Sequence, residues 1–554
     1  MTQDQHSATG PSLKYGMFLL AVTLLIYVQI VRFPFLDFDD KPFIVQNQAT
    51  LQWKMVPTLF LGISRSDPNK LLPTIPNLYR PITSLWIVLN YKTFGLRPML
   101  WRFSSLFLYL LGVWFFWRVA WKFLRDDFSA FAASVLYAIH PVHVEGVAWL
   151  SGANVEPVVA VFFFAGFLAY LRWWENGKTA WLVGCGILAL MALLSKETGM
   201  ALPVLIVCHA FLFRSSAEAD PRARSAWLPM TMAVVILIYL VMRFHAVQGL
   251  VMGGKPSHTW KEIFLTAPLL FVTYLKHVFW PVSLGTWYDL PVVRDPASMN
   301  FIVPLAFCLA YVVVLIWSLA RKPFVGFMLL WWAVCLGAPI IGLRTFTNYE
   351  LLHDRFTFIG LGGLCMLVAA ALRFLPAYGP RVFDVKATVA FATILLMLGL
   401  GVLTVQQIYT WRSGLAMYAR AVEVCPGCIR ARILLADALL KEGKVGLAVA
   451  LNRDTLRLEP DYWDAIYAYG LTLEAAGDRP EAIRVLAHGI ELHPDNTPLY
   501  FALSRVLANG LDFDGAIQLL RQGIPKVDRP DILKSQLASV QEIQRRVRAR
   551  QRLQ

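Results

Sequence analysis

The segment Tyr15–Asp40 reads YGMFLLAVTLLIYVQIVRFPFLDFDD, a long apolar run that ends in acidic residues. Its apolar part, Tyr15 to Phe33, is long enough to cross a bilayer, which takes about 20 residues. No small-residue cleavage site follows it, so it predicts a permanent membrane anchor rather than a signal peptide. Charged groups are costly to hold at the edge of a bilayer. The acids directly after this anchor therefore indicate a functional site at the membrane surface.

The composition of the whole chain agrees with this anchor. Of its 554 residues, 57% are hydrophobic and only 16% are charged, which excludes a soluble protein with one ordinary core. The net charge of +15 does not indicate nucleic-acid binding, because the Lys and Arg residues lie in short clusters between apolar runs. Basic clusters in such places are typical of orientation signals in membrane proteins. The sequence thus predicts a polytopic membrane protein.

Eleven apolar runs are long enough to span and predict an all-α membrane bundle. They lie near 14–33, 100–120, 128–147, 155–172, 179–195, 199–214, 226–244, 300–320, 324–343, 354–374 and 385–408. Two weaker runs, 79–94 and 262–281, are interrupted by polar residues and are interpreted as amphipathic helices in the interface. We expect a transmembrane domain over residues 1–410 and a separate domain over 411–554.

The basic residues fix the orientation of this bundle. If the chain alternates, five basic connections share one face: those with Arg118, Lys122 and Arg125, with Arg172 and Lys178, with Arg214, Arg222 and Arg224, with Arg321 and Lys322, and with Arg373, Arg381 and Lys386. The positive-inside rule makes that face cytoplasmic, together with the N terminus. Everything after residue 409 then lies outside. If 262–281 spanned instead, this parity would break, which favours its interfacial position.

Four polar clusters share the outer face in this topology. They are Asp37-Phe38-Asp39-Asp40, His140-Pro141-Val142-His143-Val144-Glu145, Ser195-Lys196-Glu197 and His353-Asp354-Arg355. Acids, cations and imidazoles that converge at one membrane surface indicate a reaction centre.

The region after Trp411 contains an internal repeat of 34 residues. The landmarks in phase are Pro426, Pro460 and Pro494, then Ala448, Ala482 and Ala516, then Ile433, Tyr467 and Phe501, then Leu435, Tyr469 and Leu503, and finally Gly443 and Gly477, a series that Leu511 breaks. This period predicts tetratricopeptide repeats, in which small residues let paired helices approach closely. Residues from about 531 onward would form a capping helix. Its basic end, from Arg545 to Arg552, predicts a solvated face, with anionic lipid contact as the alternative.

Seven cysteines divide into two kinds. Cys185, Cys208, Cys308, Cys335 and Cys365 lie in apolar segments, where they behave as small hydrophobes. Cys425 and Cys428 form a Cys-Pro-Gly-Cys pair, for which we prefer a structural disulfide in an oxidising compartment over free thiols.

The four clusters, the Tyr79-Arg80-Pro81 helix start and the repeats occur in an order that is similar to one known family. The chain resembles the transmembrane and tetratricopeptide-repeat-containing O-mannosyltransferases, and more widely the GT-C class of polyprenyl-phosphate-dependent glycosyltransferases. The resemblance covers nearly the whole chain, with the loop 245–300 least matched. It implies an acidic residue in the first external loop that acts in catalysis, and a lipid-linked sugar bound at the outer membrane face.

Displacing a lipid phosphate from an anomeric carbon requires a base for the acceptor hydroxyl, and a carboxylate can supply it. Asp39 and Asp40 are the candidates, with a slight preference for Asp40 and with Asp37 behind them. The alternative role for at least one of these acids is a turn or N-cap carboxylate for the helix that follows.

The leaving phosphate calls for cations that keep their charge. Arg355 offers bidentate geometry and Lys196 a point charge, each at the outer end of a predicted span. Arg80 and Arg243 are weaker candidates for the same task. Alternatively, Lys196 pairs only with Glu197, and Arg355 is an interfacial anchor.

Two roles are open for the His-Pro-x-His-x-Glu motif. His140, His143 and Glu145 are a tentative ligand set for a divalent metal. Alternatively, Glu145 is a second acid that orients a substrate, with both histidines hydrogen-bonded to it. The remaining polar residues of the clusters are expected to line the site: Asp37, Glu197, His353 and Asp354.

We therefore expect transfer of a sugar, mannose by the resemblance, from a polyprenyl phosphate to Ser or Thr hydroxyls of exported proteins, with inversion. The alternatives are a glycan or lipid acceptor for the same donor, or a non-catalytic scaffold that acts through its repeats. The repeats would recruit the acceptor protein or serve as a structural cap. A bacterial inner membrane with a periplasmic repeat domain fits the orientation, and the endoplasmic reticulum is the other placement.

Two departures from the family pattern concern donor specificity. Phe356 replaces a residue that is often Tyr in the family. The segment after Trp149 lacks the basic-acidic pair that is common there, so that Asn154 and Glu156 either replace the pair or leave its contact missing.

Overall fold

The computed structural model describes residues 10–62, 79–150, 155–213, 227–247, 257–342, 344, 346, 350–375, 378–382 and 385–551. The chain divides into two units. The first unit comprises residues 1–284 and 290–413, and the second comprises 285–289 and 414–554. Asn154, Arg214, Arg222, Arg224 and Arg552, which the sequence analysis singled out, lie outside the described residues.

The first unit is almost entirely helical. Its described helices are α1 (Leu13–Tyr27), α2 (Val56–Leu61), α3 (Pro81–Phe94), α4 (Pro98–Leu124), α5 (Asp127–Ala138), α6 (His143–Ala148), α7 (Val155–Asn176), α8 (Thr179–Ser195), α9 (Ala201–Leu212), α10 (Trp227–Val247), α11 (Trp260–Phe279), α12 (Met299–Arg321), α13 (Pro323–Gly342), α14 (Leu361–Leu372) and α15 (Ala387–Thr410). Two short strands, β1 (Arg381–Val382) and β2 (Val385–Lys386), pair antiparallel between α14 and α15. Apart from this small pair, the predicted all-α class is confirmed.

Eight of these helices are long and apolar enough to cross a membrane, and so the protein is a membrane protein. They are α1 with the 3-10 turn after it, α4, α7, α10, α11, α12, α13 and α15. Seven of them are among the eleven predicted spans, and the eighth, α11, is the segment interpreted as interfacial. The other four predicted spans correspond to shorter apolar helices, α5, α8, α9 and α14.

The short helix α5 shows why these four are accommodated. Every described side chain from Phe128 to Ala138 is buried, against α4 and α14 among others. By contrast, α12 buries only Pro304 and Ser318. A helix enclosed by protein does not need to match the bilayer thickness along its own length, because neighbouring helices replace the lipid around it. The predicted count of eleven crossings stays a prediction.

Both ends of α11 are held by the chain segment that follows α13. Near its start, the Ser257 backbone N–H donates to the Arg344 carbonyl at 3.0 Å. At its end, His277 Nδ1 lies 2.8 Å from Asp354 Oδ1. The described residues between Arg344 and Asp354 contain no helix that could cross a membrane. Because α11 is itself long and apolar enough to span, its predicted interfacial position stays a prediction.

A small apolar core holds the segment after the first anchor in place. Ile44, Leu51 and Leu59 pack with Ile87 and Val88 of α3, and the cluster is completed by Trp101 and Leu150. The chain from Lys41 onward begins with a π-helix, Lys41–Val45, with Pro42 in its first turn. This packing fixes where the acids that precede the π-helix lie.

The second unit is a series of helix pairs with a final long helix. Its helices are α16 (Gly414–Val424), α17 (Ile429–Lys441), α18 (Val445–Leu458), α19 (Trp463–Ala475), α20 (Arg479–Leu492), α21 (Thr497–Asn509), α22 (Phe513–Gly523) and α23 (Pro530–Gln551). Helices α17, α19 and α21 begin 34 residues apart, as do α18, α20 and α22. Ala448, Ala482 and Ala516 are fully buried where paired helices meet. The predicted period is confirmed, and α23 packs on α21 and α22 as the expected capping helix.

The turn within each repeat adopts a left-handed backbone conformation at one residue. Gly443 and Gly477 have φ of 72° and 84°, where the absence of a Cβ removes the steric penalty. Leu511 takes the same place in the third repeat with φ of 67°. An L-residue with a Cβ is strained in this region, at a cost of about 1–2 kcal/mol.

We expect Leu511→Gly to raise the free energy of unfolding by about 1 kcal/mol, because it removes this strain and the leucine is exposed. Thermal unfolding followed by circular dichroism measures the change. Leu447→Gly is the matched control, since Leu447 is a similarly exposed leucine inside α18. That control should destabilise by about 1 kcal/mol, as glycine does within a helix. Equal losses in both variants would contradict the prediction.

Cys425 and Cys428 are joined by a disulfide at the start of α17, and both are fully buried. This pairing agrees with the preferred structural disulfide. Disulfides persist in oxidising compartments, which is the expected setting of this domain.

Candidate active site

The three acids after the first anchor have different environments. Asp40 is fully buried, and its Oδ2 accepts a hydrogen bond from the Leu36 backbone N–H at 3.0 Å. Asp37 pairs with Lys41 at 2.6 Å in a partly exposed position. Asp39 lies between them and is also partly exposed. The structure therefore gives Asp40 the turn-stabilising role that the sequence left open, and it favours Asp39 over Asp40 as the residue that a substrate reaches.

Glu145 is the centre of a buried ion-pair group. It lies on α6, and its carboxylate accepts hydrogen bonds from the Arg355 side chain and from the Arg355 backbone N–H, the latter at 2.9 Å. His353 Nδ1 lies 3.2 Å from the same carboxylate. Burial alone would raise the pKa of Glu145, but Arg355 and His353 outweigh it and hold the pKa below its ordinary value. Glu145 is therefore an ionised anchor for Arg355, and Arg355 is more than an interfacial anchor.

The two histidines of the motif do not bind Glu145. His140 Nε2 donates to the Val278 carbonyl at 2.9 Å. His143 stacks on Phe358, with ring centroids 4.1 Å apart, and its Nε2 donates to the Phe358 carbonyl at 3.3 Å. Burial lowers the pKa of both imidazoles, that of His140 to about 4, so both are neutral near pH 7. The alternative in which both hydrogen-bond to Glu145 is wrong, because His353 takes that place.

The tentative metal ligands do not converge. Each of the three side chains has a different partner: Val278 for His140, Phe358 for His143 and Arg355 for Glu145. No group of three or more His, Cys, Asp or Glu side chains that could hold a metal ion occurs among the described residues. The predicted ligand set therefore does not fit a divalent metal ion.

Four cations lie close to one another at this site. Lys196 pairs with Glu156, and both side chains are buried. The Lys196 ammonium lies 4.9 Å from the centre of the Phe356 ring, and the Arg355 guanidinium lies 5.3 Å from the same ring. Burial lowers the pKa of Lys196, and the nearby charges of Arg80 and Arg355 lower it further, against the opposing effect of Glu156. Phe356 is thus a shared platform for two of the predicted phosphate-binding residues.

The other two cations share one carboxylate. Arg80 donates to Glu197 Oε2 from Nε at 3.0 Å and from Nη2 at 2.7 Å. Arg243 Nη1 lies 3.5 Å from Glu197 Oε1. Lys196 and Glu197 are adjacent in sequence but have different partners, so the alternative in which they pair only with each other is wrong. Within these pairs, four cations face three carboxylates, Glu145, Glu156 and Glu197, which leaves an excess of positive charge.

Asp354 belongs to a neighbouring pair rather than to this cation group. Its Oδ1 lies 2.8 Å from His277 Nδ1, and both side chains are buried. The pair ties the segment after α13 to α11. Asp354 was expected to line the site. The structure instead gives it a structural role at the border of the site.

Two buried charged residues near the site, Glu156 and Arg102, were not placed there by sequence reasoning. Glu156 is the counter-ion of Lys196, although the sequence offered it only as a replacement for a missing pair. Arg102, inside α4, is fully buried and was not singled out at all. In both cases the signal was a charged residue within an apolar helix, which is costly and therefore rarely incidental.

The aromatic residues connect the acid loop to the cations. Phe38 contacts Trp149, with ring centroids 5.4 Å apart. The Arg355 guanidinium lies 4.7 Å from the centre of the Trp149 ring, within the range of a cation–π interaction. Asp37 and Asp39 flank Phe38, so the acid loop and the Glu145–Arg355 pair belong to one site.

Comparison with protein families finds a match within the second unit. The family model described as a tetratricopeptide repeat matches residues 439–507, within the second unit. A solved structure, the crystal structure of yeast Tom70, aligns with a TM-score of 0.21 at 11% identity, covering 78% of this chain and 96% of that chain.

Three curated relatives match over most of the chain. Protein O-mannosyl-transferase F38B6.6 of Caenorhabditis elegans is 23% identical over 472 residues, covering 81% of this chain and 62% of the relative. Protein O-mannosyl-transferase TMTC3 of Mus musculus is 23% identical over 551 residues, covering 90% and 59%. Protein O-mannosyl-transferase Tmtc3 of Drosophila melanogaster is 24% identical over 540 residues, covering 83% and 57%.

The chain spans about three fifths of the length of these relatives. The resemblance to the transmembrane and tetratricopeptide-repeat-containing O-mannosyltransferases, predicted from the motifs, is confirmed.

Proposed function

We propose that this chain is a membrane-embedded glycosyltransferase that moves mannose from a polyprenyl phosphate to Ser or Thr hydroxyls of exported proteins. The observation that carries the proposal is the grouping of Arg80, Lys196, Arg243 and Arg355 at one site, linked through Phe38 and Trp149 to the acid loop. Relatives named as protein O-mannosyl-transferases support the reaction class.

The chemistry requires one base and one phosphate site. In our proposal Asp39 accepts the proton of the acceptor hydroxyl, whose oxygen attacks the anomeric carbon of the sugar. The bond between that carbon and the phosphate oxygen breaks, and the lipid phosphate leaves with the electron pair. Because the nucleophile and the leaving group lie on opposite faces of the carbon, a single displacement inverts its configuration.

We place the leaving phosphate at Arg80 and Arg243. Lys196 and Arg355 each have a buried carboxylate of their own, whereas Arg80 and Arg243 share Glu197. The shared carboxylate leaves one positive charge to meet the anion, and guanidinium groups bind phosphate oxygens in bidentate fashion. This reverses the ranking from the sequence, in which Lys196 and Arg355 came first. Lys196 and Arg355 would then raise the local positive potential and support the platform on Phe356.

We expect Arg243→Met to raise the KM for the donor by about 10- to 100-fold, because a hydrogen bond to a charged group contributes about 1.5–3 kcal/mol. The measurement is the initial rate of labelled sugar transfer over a range of donor concentrations. Arg294→Met is the matched control, since Arg294 is an exposed arginine that pairs with Glu262 outside the site. An unchanged KM in Arg243→Met would remove Arg243 from the phosphate site.

The repeat domain is proposed to bind the acceptor polypeptide. A solenoid of helix pairs offers a concave face suited to an extended chain segment.

The buried disulfide fits an oxidising compartment, and we propose a bacterial inner membrane with a cytoplasmic N terminus and a periplasmic repeat domain. Accessibility of single cysteines to a membrane-impermeant reagent would test this orientation.

The experiment that tests the function is sugar transfer in detergent. The purified chain receives labelled polyprenyl-phosphate mannose and an extract of exported proteins, with and without EDTA to test metal dependence separately. Label that appears in protein and is released by alkaline β-elimination would support transfer to Ser or Thr. Label in glycan or lipid would support the alternative acceptor, and no label in any fraction from the folded chain would count against the enzyme.

A further inference from the structure

Arg102 is a buried arginine without an assigned role. It lies near the start of α4, and none of its side chain is exposed. Removing a guanidinium from water is costly unless every donor is satisfied and the charge is balanced. The nearby Asp40 carboxylate, itself fully buried, interacts favourably with that charge. A buried charge within an apolar helix therefore indicates a specific role.

The guanidinium joins two segments of the site through three carbonyl groups. Nε donates to the Phe33 carbonyl at 2.9 Å, and Nη2 donates to the Pro34 carbonyl at 2.6 Å. Nη1 donates to the Ala148 carbonyl at 2.6 Å. Phe33 and Pro34 begin the loop that carries Asp39, and Ala148 is the last residue of α6. One side chain thus holds the start of the acid loop against the end of the Glu145 helix.

We propose that Arg102 is a positioning residue that sets the distance between the Asp39 loop and the Glu145–Arg355 pair. The inference rests on the proposed function for its effect on rate, while its effect on the loop stands independently. Asp40 completes the arrangement, because it balances the charge of Arg102 and also accepts the Leu36 N–H of the same loop. A displacement of about 1 Å at a reacting group lowers rates by about 100-fold.

The arrangement is specific to arginine. The guanidinium carries its donors on three separate nitrogens in one plane, whereas a lysine has a single ammonium nitrogen. A lysine therefore cannot contact all three carbonyl groups at once. We expect Arg102→Lys to lower kcat by about 100-fold, while the donor KM changes by less than about threefold, because the charge at this position is retained but the clamp is lost. A rise in KM with unchanged kcat would overturn the proposal in favour of a donor-binding role.

A double variant separates positioning from charge balance. In Arg102→Gln/Asp40→Asn the two buried charges are removed together, while asparagine still accepts the Leu36 N–H. We expect its kcat to be as low as that of Arg102→Lys, since both variants lack the three-carbonyl clamp. Recovery of the unaltered kcat in the double variant would show that Arg102 only neutralises Asp40, and would overturn the proposal.

Hydrogen–deuterium exchange tests the same inference without the reaction. In detergent, the amides of residues 33–45 should exchange at least about tenfold faster in Arg102→Lys, while those of α12 and α15 stay unchanged. Unchanged exchange in residues 33–45, or a uniform increase in every helix, would overturn the positioning role. If the unaltered chain transfers no sugar, the proposed function fails, but this exchange measurement still decides the role of Arg102.

Discussion

We expect Asp39→Asn to lower the kcat of sugar transfer by about 10²- to 10⁴-fold, with little change in the donor KM. This is the usual contribution of a general base, and asparagine keeps the shape of the side chain but cannot accept the proton. Because Asp39 is partly exposed, the substitution should not destabilise the fold as a buried charge deletion would. The measurement is the initial rate of labelled mannose transfer at saturating donor.

The neighbouring acids are the controls for this prediction. Asp37→Asn removes the partly exposed pair with Lys41, which contributes little in water, and should change kcat by no more than a few-fold. Asp40→Asn should act through the loop that Asp40 holds. If Asp39→Asn kept the full rate, our assignment of the base would be wrong, and a loss in Asp40→Asn well beyond that of Arg102→Lys would restore the preference for Asp40 drawn from sequence.

Much of the architecture follows from patterns that depend on one segment at a time. The apolar run Tyr15–Phe33 predicts a helix without knowledge of any other part of the chain, because its backbone must satisfy its own hydrogen bonds in lipid. The 34-residue period likewise predicts the helix pairs of the second unit, since each repeat needs only its neighbour. The short helices were less predictable, as α5 is enclosed by other helices and need not reach across the bilayer.

The pairings within the site could not be predicted in this way. Lys196 and Glu197 are neighbours in sequence, but α8 ends at Ser195 and Lys196 is extended, with φ −162° and ψ 151°. Successive side chains of an extended chain point to opposite sides, so the lysine meets Glu156 and the glutamate meets Arg80. Arg102 shows the same limitation, because its partners are backbone carbonyls, which leave no signature in the sequence.

Lys196→Met is expected to destabilise the transmembrane unit strongly, because it leaves Glu156 charged and buried without its partner. Lys196 and Glu156 are only 4% and 1% exposed. Removing one member of such a pair costs about 3–5 kcal/mol, whereas replacing both members by apolar residues of similar size is often neutral. Lys196→Met/Glu156→Leu should therefore unfold, in detergent, within about 1 kcal/mol of the unaltered chain.

The double variant also decides what Lys196 does in the reaction. If Lys196 only pairs with Glu156 and adds positive potential, the folded double variant should keep a donor KM within about tenfold of the unaltered value. A charge that lies near the phosphate without contacting it contributes about 1 kcal/mol. If the ammonium contacts the phosphate, stability returns but the KM rises by about 100-fold or more, as for a lost charged hydrogen bond. The second outcome would return Lys196 to the phosphate site, as predicted from the sequence.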